Sequence, residues 1–522
     1  MKKILFLLSA LVSIGWVLVL DSRKVLPAPL GRLLSPQHGI WQNAEASHAD
    51  FSGTMTLSGL NGSVEIHFDD RLVPHVFVDN EQDAWFAQGY LHARFRLWQM
   101  ELQVLSAAGR ASEVVGEVAL EHDREFRRLG MVFAAENALK EIESNDTTRI
   151  QCDSYTAGVN AYINSLSESE LPLEYKLLGY APEPWSNLKS ALLLKYMAFD
   201  LSGHETDIEM TNARNYFSPS DFDLLFPYNT DSIDPVVPGM DYFPHDSSGK
   251  ILASTVSTQL PAHADSVYFK RPAIKAEPVT IPDKDNGSNN WVVGPTRTKS
   301  GAPILCNDPH LLLNLPSLWY EIQLCTPSFN VYGVSFPGAP GVEIGFNEHC
   351  AFGFTNGGRD VRDYYEIEFS DSSMSTYKFN NIWLKTAFRY EEIKVKGKPS
   401  FYDTVAYTVF GPVMYDHHFG GKRTDNSGYY AVRWKSHDPS NELLFFNRLN
   451  RMQSYADFMQ AVPELQTPGQ NCAFASSTGD IALVAEGAFP AKWKGQGDFI
   501  MPGNDTDYLW RGVIPWEETP FQ

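Results

Sequence analysis

The chain is poor in cysteine and poor in positive charge. Its 522 residues hold five Cys, at 152, 306, 325, 350 and 472, odd in number, widely spaced and without a C-x-x-C pair. That spacing indicates neither a zinc ribbon nor a disulfide framework. Lys and Arg number 42 against 63 Asp and Glu, a formal charge of −21. The basic footprint of a nucleic-acid binder is missing, so no nucleic-acid partner is expected. His204-Glu205, His310 and Asp416-His417-His418 follow neither H-E-x-x-H nor another regular ligand spacing, which argues against a metallohydrolase. His417-His418 reads as a solvated turn. No unit repeats at a period of about 20–50 residues.

Long apolar runs are also absent, with one exception at the N-terminus. After Met1-Lys2-Lys3, the stretch from Ile4 to Leu20 is apolar except for Ser9, Ser13 and Gly15. A short basic start before such a run is the pattern of an export signal, and its length approaches that of a membrane span. No small-x-small cleavage site precedes Asp21, so residues 1–24 read as a signal peptide or an uncleaved anchor. The body is expected to be exported, periplasmic or tethered facing the periplasm, touching the membrane by this segment only.

What is present is a globular composition, with 43% apolar residues and 13% aromatic ones. That suffices for two to four domains or one large intertwined unit. Val64–His67 and His75–Val78 alternate like strands. From Glu81 to about Val115 the spacing turns helical, and Arg128–Ser144, Thr147–Ser167 and Lys189–Leu201 follow suit. The stretch 215–286 is rich in Pro, Ser and Asp and reads as loops and a spacer. From Ser288 onward short strands dominate: Asn290–Val293, Trp319–Leu324, Val331–Val334, Tyr364–Phe369, Val405–Phe410 and Tyr429–Trp434. Only Asn441–Arg451 and Tyr455–Val462 look helical there. A helix-rich first half and a strand-rich second half predict an α+β fold with a mostly antiparallel sheet.

Between spacer and strands lies Asp285-Asn286-Gly287-Ser288-Asn289-Asn290-Trp291. A Gly-Ser step leading into a strand suits backbone self-cleavage, because Gly287 permits conformations closed to other residues and the Ser288 hydroxyl is next to the preceding carbonyl. Cleavage would free a Ser288 α-amine titrating near 7.7–8.0, a ready base for the hydroxyl of its own residue.

The segment G-S-N-N-W-V-V-G (287–294) resembles the processing site of the penicillin acylase family of N-terminal nucleophile hydrolases. N-D-P-H-L at 307–311, P-G-A-P-G-V-E-I-G-F-N at 337–347 and T-N-G-G-R-D-V-R-D at 355–363 are similar to that family too. So are F-A-Q-G-Y-L-H-A-R at 86–94, L-L-G-Y-A-P-E-P-W at 177–185 and M-A-F-D-L-S-G at 197–203. The resemblance runs from about residue 55 to the end, with the motifs in order. It implies an αββα sandwich, here incomplete at the C-terminus. The implied division is an α-chain-like region at 25–214, a spacer or propeptide at 215–287 and the N-terminal part of a β-chain at 288–522.

By position, the resemblance makes Ser288 the nucleophile and, after cleavage at Gly287, the amine base. It makes His310 the group that orients the nucleophile and Asn356 the backbone oxyanion donor. It implies that Asp207, Asp360, the carbonyl of Arg362 and Asp363 ligate a structural calcium ion, three carboxylates and a carbonyl being a start toward a shell of six to eight oxygens. The competing reading pairs Arg359 and Arg362 with these aspartates. No cofactor is required for the chemistry.

The implied activity is hydrolysis of linear amide C–N bonds in small N-acyl amides (β-lactam side chains, acyl-homoserine lactones or related), after self-processing to an α/β heterodimer. His310 tilts the resemblance toward the cephalosporin and homoserine-lactone acylases. The family's second oxyanion donor, an Asn side chain, follows the tract that here reads Leu509-Trp510-Arg511-Gly512-Val513-Ile514-Pro515-Trp516-Glu517, and Gln522 comes before it. The alternative is therefore a truncated remnant that binds without turnover, or half of a split enzyme whose C-terminal part is separately encoded.

Overall fold

A computed structural model describes residues 2–22, 31, 35, 39–43, 51–202, 206–227, 260, 261, 264, 287–311, 313–421, 423, 424 and 428–521. Most of the expected spacer, Asp285-Asn286 and His204-Glu205 lie outside the described residues. Helix α1 (Lys2–Ser22) carries the apolar N-terminal run, with the side chains of Ile4 to Val19 exposed.

The central sheet begins with the hairpin of β1 (Val64–Phe68) and β2 (Pro74–Val78). It continues through β5 (Tyr320–Cys325), β6 (Asn330–Ser335), β7 (Ile344–Asn347), β8 (Cys350–Asn356), β16 (Gln470–Ser476) and β17 (Ile481–Glu486), in the order β1-β2-β5-β6-β7-β8-β16-β17. Pairing is antiparallel except where β2 runs parallel to β5. Buried and half-exposed residues alternate strictly along β5 and β6, as the two-residue side-chain period requires.

One face of this sheet carries helices: α2 (Glu81–Ala107), α3 (Leu120–Leu129), α4 (Met131–Ser144), α5 (Asp146–Ser165), α6 (Asn187–Ser202) and, later in the chain, α9 (Glu442–Arg451) and α10 (Tyr455–Ala461). Each of α2, α5, α9 and α10 is started by an Asn or Ser side chain that accepts a first-turn N–H: Asn80, Asn145, Asn441 and Ser454. These bonds satisfy donors that a helix leaves open. Helices α2 and α5 approach most closely where Gly89 meets Gly158. A Cβ on Gly158 would sit 1.9 Å from the Phe86 carbonyl oxygen, and one on Gly89 2.2 Å from that of Tyr155. His92 of α2 lies 2.8 Å from both Tyr155 Oη and Ser335 Oγ. Its burial pushes the imidazole down to about 3, so it bridges α5 and β6 as a neutral ring.

The opposite face carries a ribbon of β3 (Gly287–Val293) and β4 (Ile304–His310). Phe354 of β8 meets Phe445 and Phe446 of α9 at ring-centroid distances of 5.9 and 6.1 Å. Gly353, which strand alternation turns the other way, lies against the Asn307 side chain of β4. Helices, sheet and ribbon are thus stacked in that order, and the fold class is α+β.

A second sheet has the order β12-β13-β14-β15-β9-β18. Its strands are β9 (Arg362–Glu366), β12 (Ala387–Ile393), β13 (Phe401–Thr408), β14 (Gly411–Tyr415), β15 (Tyr430–Trp434) and β18 (Met501–Pro502), and a small hairpin pairs β10 (Thr376–Phe379) with β11 (Ile382–Lys385). Arg128 of α3 ties the helices to this region through buried ion pairs, 2.6 Å to Asp403 and 2.9 Å to Asp416. Asp416 also accepts the N–H groups of His418 and Phe419, which makes His417-His418 a turn.

Three local expectations are corrected. The long helix read from Glu81 to Val115 ends at Ala107, with Ser112–Val115 a separate turn of helix. The helix read from Arg128 is two helices, because Gly130 takes a left-handed conformation at φ +78°. The stretch read as loops from residue 215 still holds helical structure. Helix α7 (Asp207–Tyr216) is followed by α8 (Pro219–Leu225), where Ser218 caps and Pro219 occupies the first turn, a position that tolerates a missing N–H.

Gly158→Ala forces α5 off α2. Overpacking of this kind costs roughly 1–3 kcal/mol, and urea unfolding is expected to show that loss with the slope of the transition unchanged.

Candidate functional site

The ribbon delivers Ser288 to the sheet. Gly287 pairs with His310 and Ser288 with Pro309. The Ser288 hydroxyl donates to the Gly287 carbonyl oxygen at 2.6 Å, so the hydroxyl touches the peptide that joins the two residues. The expectation that Gly287 exploits its conformational freedom is corrected. It is extended backbone of β3, and a Cβ there would meet only His310 Nδ1, at 3.8 Å.

His310 stands at the end of β4 beside Gly287. Its Nε2 lies 3.0 Å from Asp308 Oδ2, and its pairing with Gly287 sets it on the ribbon face opposite to that of Ser288 and Pro309, so the expected contact with the Ser288 hydroxyl is not made.

Asn356 closes β8. Its side-chain amide donates to the Leu201 carbonyl of α6 at 2.7 Å, and its oxygen accepts from the Gly358 N–H. The side chain is therefore structural. The backbone N–H of Phe354 leaves β8 away from β16 and donates to Asn307 Oδ1 at 3.0 Å. By the two-residue period, the N–H of Asn356 leaves on that same edge.

Sequence reading assigned no role to the asparagines that hold the ribbon down. Asn307 donates to the carbonyls of Asn289 and Phe354, at 3.0 and 2.8 Å, while accepting from Phe354. Asn290 donates to the Asn471 carbonyl, and the Asn471 amide reaches Thr355 Oγ1 and the Asn356 carbonyl. Asn289, Asn290 and Asn307 stand inside the quoted motifs; Asn471 had no signal of its own, since its partner strand is far away in the chain.

Ser288 and Asn356 share a cavity of about 100 Å³ bounded by the end of the ribbon, the ends of the central strands and helices α6 and α9. Leu194, Met197, Trp319, Phe336, Phe354 and Phe446 line it. One buried water needs roughly 10–15 Å³ on this measure, so the space takes a chain of several heavy atoms. Its acidic members are Glu442 and Glu343. Glu442 pairs with Lys195 at 3.2 Å. Burial pushes the Glu343 carboxyl well above its ordinary range, against the opposing N–H bond from Phe336. Burial likewise raises Glu486 at the end of β17, against the opposing contact from the Cys472 thiol.

Asp207, Asp360 and Asp363 also come together, at the mouth of a neighbouring cavity. The cation facing them is Lys492, 2.6 Å from Asp360 Oδ2 and 2.8 Å from Asp363 Oδ1. The backbone N–H of Arg362 donates to Asp360. Both arginines of the competing reading stack on rings, Arg359 on Phe489 and Arg362 on Phe199, at 5.2 and 5.1 Å. Burial, then Asp363, pushes Asp360 up to about 7 in spite of Lys492. Burial works against the charge of Lys492, but Asp363 and Asp360 outweigh it. Among the described residues, no three His, Cys, Asp or Glu side chains are arranged to hold a metal ion. The donor set does not fit calcium.

A family model described as penicillin amidase matches residues 63–522. Penicillin acylase 2 proenzyme of Pseudomonas sp. (strain SE83) is 28% identical over 91% of this chain and 59% of its own length. Acyl-homoserine lactone acylase QuiP of Pseudomonas aeruginosa is 30% identical over 88% of this chain and 53% of its own. The chain thus spans little more than half the length of these curated relatives. Among solved structures, thermostable penicillin G acylase from Alcaligenes faecalis matches with 26% identity and a TM-score of 0.38, covering 45% of this chain and 41% of that one.

Two outcomes follow from the site. Asn307→Ala removes three hydrogen bonds at about 1 kcal/mol each, so chemical unfolding is expected to show a loss of roughly 2–3 kcal/mol. Glu486 is a carboxyl raised on folding, so its contribution is full below the ordinary value of 4.5 and is lost as pH rises. Glu486→Gln should match the parent in stability near pH 4.5 and exceed it progressively toward pH 8, as read by denaturant melts across that range.

Proposed function

The chain belongs to the penicillin amidase family, and from that premise we propose that it is an exported amidohydrolase precursor that cleaves itself between Gly287 and Ser288. The observation that carries this reading is the Ser288 hydroxyl in contact with the Gly287 carbonyl at the wall of an apolar cavity. The hydroxyl oxygen attacks the Gly287 carbonyl carbon and its proton passes to the departing amide nitrogen. The C–N bond breaks and Gly287 becomes an ester on Ser288. Water then hydrolyses that ester to a Gly287 carboxylate and a free Ser288 amine.

That amine takes the hydroxyl proton when Ser288 attacks the acyl carbon of an N-acyl amide. The backbone N–H of Asn356 faces the developing oxyanion, where a preorganised donor is worth roughly 10²–10³ in rate. The apolar cavity receives the acyl group, and once cleavage frees the Ser288 end of β3, His310 turns from Asp308 to position the amine and hydroxyl. The relatives named as penicillin and acyl-homoserine lactone acylases direct the substrate class to β-lactam side-chain amides, acyl-homoserine lactones or related amides.

The two products of cleavage stay together as an α/β heterodimer, because β2 hydrogen-bonds β5 and the helical face shares one core with the later strands. Helix α1, 21 residues long and about 1.5 Å per residue, is matched to the ~30 Å apolar thickness of a bilayer. It serves as signal or anchor.

Purified protein is expected to yield a fragment beginning at Ser288 on N-terminal sequencing, while Ser288→Ala stays a single chain of 58.6 kDa. Turnover of chromogenic phenylacetyl or long-chain acyl amides should appear only in the processed protein. It should rise as the amine deprotonates near pH 7.7–8.0. An uncut parent, or cleavage elsewhere, overturns the processing claim. Correct processing without turnover leaves the second reading, a binding architecture. The exposed Trp291 (52%) and Ile304 (48%) on the ribbon favour that reading as an unpartnered apolar surface.

A further inference from the structure

Asp360 precedes β9, Asp363 is its second residue, and Asp207 opens α7. Carboxylates gathered in a buried place repel one another and require a counter-charge. A hard divalent ion meets that need with six to eight oxygens at about 2.3–2.6 Å. Here each of the three carboxylates meets an N–H donor instead. Asp363 is fully buried, with Oδ1 on the Lys492 ammonium and Oδ2 accepting the Trp510 indole N–H at 2.5 Å. Asp207 Oδ2 accepts the Tyr364 N–H at 2.9 Å.

The surrounding backbone is shaped to the ammonium. Gly497 has φ +90°, and a Cβ there would sit 2.3 Å from Asp363 Oδ1, 2.8 Å from Lys492 Nζ and 2.9 Å from Asp360 Oδ2. Only a residue without a side chain lets the chain close over the pair at this distance. Lys492 lies in a segment laced to 511–512, since the Ala491 N–H donates to the Gly512 carbonyl and the Arg511 N–H to that of Ala491. Its ammonium also sits 5.6 Å from the Trp510 ring centroid, with Arg433 at 4.8 Å.

We infer that Lys492 is the built-in cation of this site, standing in place of a structural divalent ion and fastening the 490–497 segment to β9 without metal. The point is independent of hydrolase activity, because it concerns what neutralises the carboxylates.

The test uses the full chain, with metal content and thermal unfolding as readouts, so failure of the proposed activity does not touch it. The parent, purified without chelator, is expected to carry far less than one calcium per chain. Its melting temperature should be the same in EDTA and in millimolar calcium chloride. Lys492→Met keeps the apolar stem and removes the charge. It is expected to melt lower and to recover part of the loss on adding calcium. Lys492→Arg, which keeps a cation, should remain indifferent to calcium. One calcium per parent chain, or a fall in the parent's melting temperature in EDTA, overturns the inference. A folded Lys492→Met that ignores calcium also overturns it. Should that variant fail to fold, the two measurements on the parent decide the matter.

Discussion

The site exists because one two-stranded ribbon is hydrogen-bonded, by side chains, to a sheet it does not join. A carboxamide presents donor and acceptor at one flat end, so it can bond the N–H and C=O of the same residue. Asn307 does this to Phe354 while also holding Asn289 of its own ribbon. Asn290 adds a second tie one strand further along, donating to the Asn471 carbonyl of β16. These bonds fix where Ser288 sits relative to Asn356 more narrowly than apolar packing does, because packing is non-directional. The absence of a Cβ at Gly353 lets the amide come down to the sheet.

Around that contact the molecule handles its excess of acid in two ways. Where a cation is at hand, the acids are paired inside: Glu442 with Lys195, Asp403 and Asp416 with Arg128, Asp360 and Asp363 with Lys492. Where none is, burial disfavours the carboxylate and pushes the group well above its ordinary range, as at Glu343 and Glu486. Around Ser288 this leaves Glu442 paired and Glu343 disfavoured as an anion, beside a wall that is largely apolar. Removing one partner of a buried pair costs far more than the pair contributes, so these contacts mark positions intolerant of change.

Much of the fold was legible in one dimension. The helical spacing of Asp146–Ser165 and Asn187–Ser202, and the strands around Tyr320–Cys325 and Tyr430–Trp434, stand within a residue or two of where periodicity put them. The misreadings were local. Gly130 in a left-handed conformation breaks a helix without disturbing the apolar spacing on either side, and Pro219 sits in a first turn where proline is harmless.

Sequence by itself determined the α+β class, the family, the apolar N-terminal segment and the Gly287-Ser288 step, since each is written in contiguous residues or in periods of two and 3.6. Tertiary structure alone decided that Asn307 and Asn290 anchor the ribbon, that His310 faces Asp308, and that a lysine more than a hundred residues away faces Asp360 and Asp363. The physical reason is one of range. Periodicity records which face of an element is apolar, whereas a counter-charge or a bridging amide is chosen by proximity in space, and chain separation carries no trace of it.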